Sequence, residues 1–179
     1  MKQPIITEIY ENEIFVFGSN STGFHGEGSA GFAMRGKRAV RNAPEYIPWR
    51  QDEIFLKAKN SPIGSTDRIG KYAIYGQPSG LQRGRHGASW GIVTIKHPGR
   101  KWHRSISRRE IYFQLTDLWQ FANQNPSKLI LMTPVGCGYS GWSRSEMDEV
   151  LKFLIKKHGL PSNILHTKKL YAEVNINET

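Results

Sequence analysis

Cysteine is almost absent from this chain: Cys137 is the only one among 179 residues. That excludes an internal disulfide and any cysteine-built metal cluster. Long apolar runs are missing too, and none approaches the roughly 20 residues a helix needs to cross a bilayer. The leading stretch MKQPIITEIYENE carries one lysine and early acids instead of a basic segment followed by an apolar one. No secretory leader and no membrane partner are therefore expected, and the expected compartment is cytoplasmic. Internal repeats and low-complexity tracts are lacking. His97 and His103 have no carboxylate between them, so no metal site is expected, and no resident cofactor either.

Acidic residues are missing from one long window. From residue 68 to residue 109 there are ten Lys or Arg and no Asp or Glu, whereas the rest of the chain holds 15 of each sign. The net charge of +10 comes entirely from that window. Such a field draws in phosphate, carried by a nucleotide, a nucleic acid or a modified protein; a solvated basic face is the plainer alternative.

What is present is an alternation of short apolar runs and helical stripes over a length suited to one domain, 1–179. EIFVF (13–17) reads as a buried strand ending at Gly18, and 30–40 reads as a helix. Residues 42–70 are broken by Pro44, Pro48, Pro62 and Gly64. They read as a surface insertion holding at most a short helix near 52–59. Residues 71–75 and 90–96 read as strands joined by a long basic loop, GQPSGLQRGRHGAS. Ser107 and Glu110 make an S-x-x-E start for a helix with Ile111, Leu115, Leu118, Trp119 and Ala122 on one face, ended by Asn125-Pro126. LILM (129–132) is a strand. Ser143 and Glu146 open another helix striped by Met147, Val150, Leu151, Leu154 and Ile155, stopped by Gly159 and Pro161. Residues 169–174 read as the last strand. The alternation predicts an α/β fold, a mixed central sheet with helices on both faces.

Ligands of such sheets bind outside the carboxyl ends of strands. Three glycine-rich loops qualify: 18–31, 76–89 and 133–141. The first contains GEGSAG (26–31), which matches G-x-G-x-x-G as a string. A dinucleotide fold needs its first glycine at the strand end and an acid about 20 positions on, at the end of a second strand. Here SNSTGFH intervenes, and Glu45 sits in NAPEYIPWR, which is no strand. The spacing argues against a Rossmann turn. Another cradle fits better: Ser19 and Asn20 for a sugar or distal phosphate, and Gly26 and Gly28 to bring N–H groups to phosphate at a helix N-terminus. The 133–141 loop repeats the device. Tight turns packing against helices remain the alternative for each loop.

FVFGSNSTGFHGEGSAGFA resembles the opening of macro-domain-like proteins of bacteria and phages, where F-G-S-N is followed by G-x-H-G-x-G-x-A. YGQPSGLQ (75–82) is similar to the family's Y-G-Q-x-x-G-L segment, and TPVGCGYSGWS (133–143) to its T-x-I-G-C-G-x-A-G-Y loop. The resemblance implies a macro-domain-like, three-layer α/β/α sandwich whose pocket takes ADP-ribose or a related nucleotide. It implies that Asn20 meets the distal ribose and that Gly26, Gly28, Ser29 and Ala30 line the diphosphate. Gly136, Cys137, Gly138, Tyr139 and Ser140 would form the second loop. Gly18, Ser19, Gly76, Gln77, Gly80 and Thr133, within the matched segments, complete the expected ligand-binding set. Two departures stand out. The 42–70 segment is longer than the family's, and Ser140 occupies the place of the aspartate found in relatives that remove ADP-ribose from acidic side chains.

His25 and Glu27 are the only titratable residues in the first loop and are the candidates for general acid–base work, in an ADP-ribosyl hydrolase or ADP-ribose phosphatase. His86 is a third candidate, or a phosphate contact like Arg83 and Arg85. Cys137 has no base nearby in sequence and reads as a small buried loop residue. HPGRKWHRSISRR sets Trp102 among Arg100, Lys101 and Arg104, a stacking surface with phosphate-binding charges. The rival readings are therefore a basic nucleic-acid-binding protein and a non-catalytic sponge for a nucleotide signal. The expected partners are ADP-ribose or a related nucleotide, nucleic acid, or an ADP-ribosylated macromolecule.

Overall fold

The computed structural model describes residues 6, 8–37, 46–96, 103–136 and 140–166. Alternation along the first strand, β1 (Glu13–Asn20), sets the layers. Ile14 and Val16 turn to one side of the sheet and Phe15 and Phe17 to the other, all four buried, as a period of two requires. On the first side lie α3 (Arg108–Gln124) and α4 (Arg144–His158), whose Ile111, Leu115, Leu118, Met147, Leu151 and Leu154 close the larger core. On the other lies α1 (Gly28–Arg35), with Phe32 edge-on to Phe15 at 5.1 Å.

Between these layers the sheet runs β2-β3-β1-β4-β5, with β2 Gly80–Arg83, β3 Ala88–Ile95, β4 Leu129–Met132 and β5 Ile164–His166. Central β1 is parallel to β3 and β4, β4 is parallel to β5, and β2 is an antiparallel edge on β3. The architecture is the expected α/β one, with a mixed sheet and helices on both faces. No helix among the described residues is long and apolar enough to cross a membrane.

The local signals behave unevenly. Ser107 accepts from the Glu110 N–H at the start of α3, and Ser143 with Glu146 forms a reciprocal capping box on α4. Gly159 ends α4, although Ile155 faces solvent. By contrast α1 stops well short of residue 40. Gly36 takes a left-handed φ of 69° and gives its N–H to the Phe32 carbonyl, a glycine helix stop.

Residues 71–75 are not a strand; they make one isolated bridge, between Ile69 and Ile74. The N–H groups of Lys71 and Tyr72 are taken by the Met34 and Ala33 carbonyls at the open end of α1, so no ladder forms there. The expected loop 76–89 is not a loop throughout, because β2 forms within it and turns at Gly84–Gly87 into β3. The expected strand at 169–174 lies outside the described residues.

The described part of the 42–70 segment is docked on the molecule. Helix α2 (Glu53–Lys59), capped by Asp52, buries Phe55 and Ala58 against Met34 on the outer side of α1. Phe24, Trp49, Phe55 and Tyr75 then meet ring to ring at centroid distances of 4.9 to 6.1 Å. Residues of the first glycine loop and of the insertion thus share one aromatic cluster.

Candidate functional site

Because β1 and β4 are parallel neighbours, their carboxyl ends open on the same edge of the sheet. Thr133 ties the second loop to the first strand there: its Oγ1 donates to the Val16 carbonyl at 2.6 Å. A methyl group on Gly18 would lie 4.0 Å from the Gly136 nitrogen and 3.4 Å from Thr94 Oγ1. Two of the three expected loops therefore meet beside the end of β3. Ser140 Oγ donates to the Gly136 carbonyl and holds the described ends of the second loop together. Cys137, Gly138 and Tyr139 lie outside the described residues.

Asn20 organises the first loop. Its Oδ1 accepts from Thr22 N (3.2 Å), Thr22 Oγ1 (3.1 Å) and Phe24 N (2.9 Å), while Nδ2 donates to the Phe24 carbonyl at 2.8 Å. The amide is engaged by its own turn, an Asx-type arrangement, and not held out for a ribose. Ser19 is buried beside it, bonded to the Asn20 carbonyl. Asn20→Ala is expected to destabilise the fold by about 2 kcal/mol, since three loop donors, among them the half-buried Phe24 N–H, lose their acceptor and the Phe24 carbonyl its donor. In a chain of this size that lowers the melting temperature by roughly 4–8 °C, measurable by thermal denaturation.

His25 is fully buried. Its Nε2 meets the Gln77 carbonyl at 2.9 Å, its ring stands edge-on to Phe17 at 5.1 Å, and Gln82 Nε2 donates to the same carbonyl at 2.8 Å. Gln82 Oε1 in turn accepts from Ile74 N at 2.9 Å. Burial pushes the imidazole pKa down to about 4, with the hydrogen bonds to Gln77, Gln82 and Ile74 opposing that shift. A neutral, sealed imidazole has no route to a ligand's proton, so the acid–base role expected of His25 is corrected to a structural one. It rivets the first loop to the 74–82 turn.

Glu27 sits at the N-cap of α1 and makes no capping bond; its closest described partner is Tyr46 Oη at 3.4 Å. It is half-buried and is the carboxylate nearest the first turn of α1. That turn is Gly28-Ser29-Ala30, all buried, with Gly28 at φ 61°. The N–H groups of a first turn have no partner within the helix and carry its positive end. An anion is the natural acceptor.

Gly26 is glycine for a steric reason: a methyl there would come within 2.7 Å of the Phe24 ring and 3.1 Å of Trp49. Its carbonyl accepts from Arg35 Nη2 at 2.9 Å, while Arg35 Nη1 reaches the Ile47 carbonyl at 2.5 Å and Asp52 Oδ2 at 3.5 Å. Arg35 and Asp52 are both buried. This pair clamps the insertion to the glycine loop, and no motif announced it. The only signal in sequence is an arginine on the last turn of a small-residue helix.

The middle loop divides between the two ends of the sheet. The Gly76 N–H donates to the Gly23 carbonyl at 3.0 Å, which places Gly76 and Gln77 against the first loop. Gln77 gives its side-chain amide to Leu81, and Gly80 begins β2. Arg83 pairs with Ala88 at the start of β3, whose own neighbour is Ile14. Arg83, Arg85 and His86 therefore lie at the opposite edge of the sheet. Arg85 there donates to the Ile69 and Thr66 carbonyls.

Arg104 is at the loop edge. Its N–H meets the Ser140 carbonyl at 2.6 Å and Nε the Gly141 carbonyl at 3.1 Å, so it straps the second loop. The guanidinium lies over Trp142 at 4.8 Å and pairs with Glu146 at 3.1 Å. Hydrogen bonds from Ser143, then the charges of Arg104 and Arg108, hold the Glu146 carboxyl below its usual range. Arg100, Lys101 and Trp102 lie outside the described residues. The described residues contain no cluster of His, Cys, Asp and Glu able to hold a metal.

What the cluster offers chemically is backbone N–H donors, a helix N-terminus and a basic strap, a set suited to phosphate. The chain matches no family model, no curated protein and no solved structure.

Proposed function

We propose that the protein binds ADP-ribose or an ADP-ribose-containing nucleotide at the carboxyl edge of its sheet. The observation that carries this reading is the meeting of the first and second glycine loops at Gly18 and Gly136, on the sheet edge from which the first loop runs on into the N-terminus of α1. A diphosphate between them takes N–H donors from Gly28, Ser29 and Ala30 on one side and faces the Thr133–Gly136 turn on the other. Arg104, paired with Glu146, straps the second loop in place. The resemblance of the three loop segments to macro-domain-like proteins supports the choice of ADP-ribose over other diphosphates.

Turnover of an ADP-ribosyl or terminal phosphate bond would have to use Glu27 or a water ordered by the loops, since His25 is sealed. Calorimetric titration with ADP-ribose is expected to show saturable heat. Glu27→Gln is expected to bind severalfold more tightly, because a carboxylate about 4 Å from a phosphate repels it by about 1 kcal/mol or more. No heat at millimolar ligand would overturn the reading. Incubation with ADP-ribose-1″-phosphate separates the classes: released phosphate that disappears in Glu27→Gln identifies an enzyme using that carboxylate, and binding without release identifies a reader or sponge.

A further inference from the structure

Away from the loops, the seam between α3 and α4 opens a cavity of about 320 Å³ lined by Arg108, Arg109, Tyr112, Glu149, Val150 and Phe153. Two of its rings, Tyr112 and Phe153, continue outside it to Phe113. Phe113 meets Tyr112 at 5.6 Å, Tyr112 meets Phe153 at 5.4 Å, and the Tyr112 hydroxyl reaches His158 Nε2 at 3.1 Å. Phe113 and Phe153 are 52% and 57% exposed, although the helices they stand on bury their apolar stripes in the core. Two neighbouring half-exposed phenylalanines are an apolar surface that folding leaves uncovered.

Cations bracket these rings. Arg108 and Arg109 stand at one end, and the last turn of α4 brings Lys156 and Lys157 to the other. Arg109 lies over the Phe113 ring at 5.6 Å and has no carboxylate partner among the described residues. The carboxylate on the rim, Glu149, is neutralised by Arg108 at 3.4 Å. We propose that this seam binds single-stranded nucleic acid, with bases stacking on Phe113, Tyr112 and Phe153 and phosphates following the flanking cations. Half-exposed rings between positive charges suit unpaired bases on a polyanion. A duplex hides its π faces. Arg109, Lys156 and Lys157 beside the rings favour a polyphosphate over an acidic peptide. The inference does not rest on the nucleotide reading of the loops.

Fluorescence anisotropy with labelled oligothymidylate of about 15 nucleotides tests it. The wild type is expected to bind the single strand more tightly than a duplex of equal length, and excess ADP-ribose is expected to leave that binding unchanged. Phe113→Ala and Phe153→Ala, whose side chains are half in solvent, are expected to keep the wild-type melting temperature. Each should weaken binding at least about fivefold, the low end of what one lost stacking platform does. Arg109→Gln is expected to weaken binding and to flatten its dependence on salt. Four results would overturn the proposal: no binding at about 50 mM salt, binding unaltered in both phenylalanine variants, displacement by ADP-ribose, or preference for an acidic aromatic peptide over the oligonucleotide.

Discussion

Arg35→Met is expected to lower stability by about 3–5 kcal/mol, the range for a buried ion pair that loses one partner. The loss has three physical sources. Asp52 is left as a buried carboxylate facing no cation, and the carbonyls of Gly26 and Ile47 lose their donors. In a chain of this length the melting temperature should fall by roughly 6–20 °C. Asp52→Asn should cost less, because asparagine still caps α2 and Arg35 keeps both carbonyls, although its buried guanidinium loses its counter-charge. The double variant should recover part of the Arg35→Met loss, which in a double-mutant cycle isolates the coupling between the two residues. Chemical denaturation of the four proteins measures it. A cost under 1 kcal/mol for Arg35→Met would mean that the insertion does not clamp the glycine loop.

The second large effect is on acid stability. The His25 pKa is about 4 in the folded protein, below its ordinary 6.5. Above pH 6.5 the imidazole is neutral folded or unfolded, and its contribution is fully present. As pH falls from 6.5 to 4 the unfolded chain takes up a proton that the folded chain refuses, so stability is lost across that window. The integrated loss is about 3 kcal/mol. His25→Gln preserves a donor toward the Gln77 carbonyl and does not titrate. Its stability should therefore fall less steeply between pH 6.5 and 4 when urea unfolding is followed at stepped pH. Carboxylate titration is common to both proteins and drops out of the difference. Parallel pH profiles would show that His25 is solvated and free to act on a ligand.

The elements most legible in sequence were those written in local chemistry. Ser143 and Glu146 state a helix start whatever surrounds them, and LILM can only be a buried strand. Residues 71–75 misled because Tyr72, Ile74 and Tyr75 have strand-like side chains, while their backbone is claimed by the end of α1, a contact some 38 positions away in the chain. The GQPSGLQRGRHGAS stretch hid β2 because an edge strand of four residues with one buried side chain, Gln82, has almost no hydrophobic pattern to display. Two of the three glycine loops, those beginning at Gly18 and Thr133, do follow strands, since glycine clusters after apolar runs mark them, whereas 76–89 follows none and contains β2. The roles of His25 and Asn20 were not legible. A histidine beside glycines carries the same letters whether it faces a ligand or a buried carbonyl, and only Gln77 and Gln82, brought in from the hairpin, decide between the two. Arg35 and Asp52 were invisible as a pair because the insertion between them sets their distance.

The most direct measurement is a crystal structure of the protein soaked with ADP-ribose. The account predicts the diphosphate within hydrogen-bond distance of the backbone N–H groups of Gly28, Ser29 and Ala30 and against the turn from Thr133 to Gly136, with His25 still bonded to the Gln77 carbonyl. A diphosphate bound anywhere else, or an empty loop edge at saturating ligand, would contradict it.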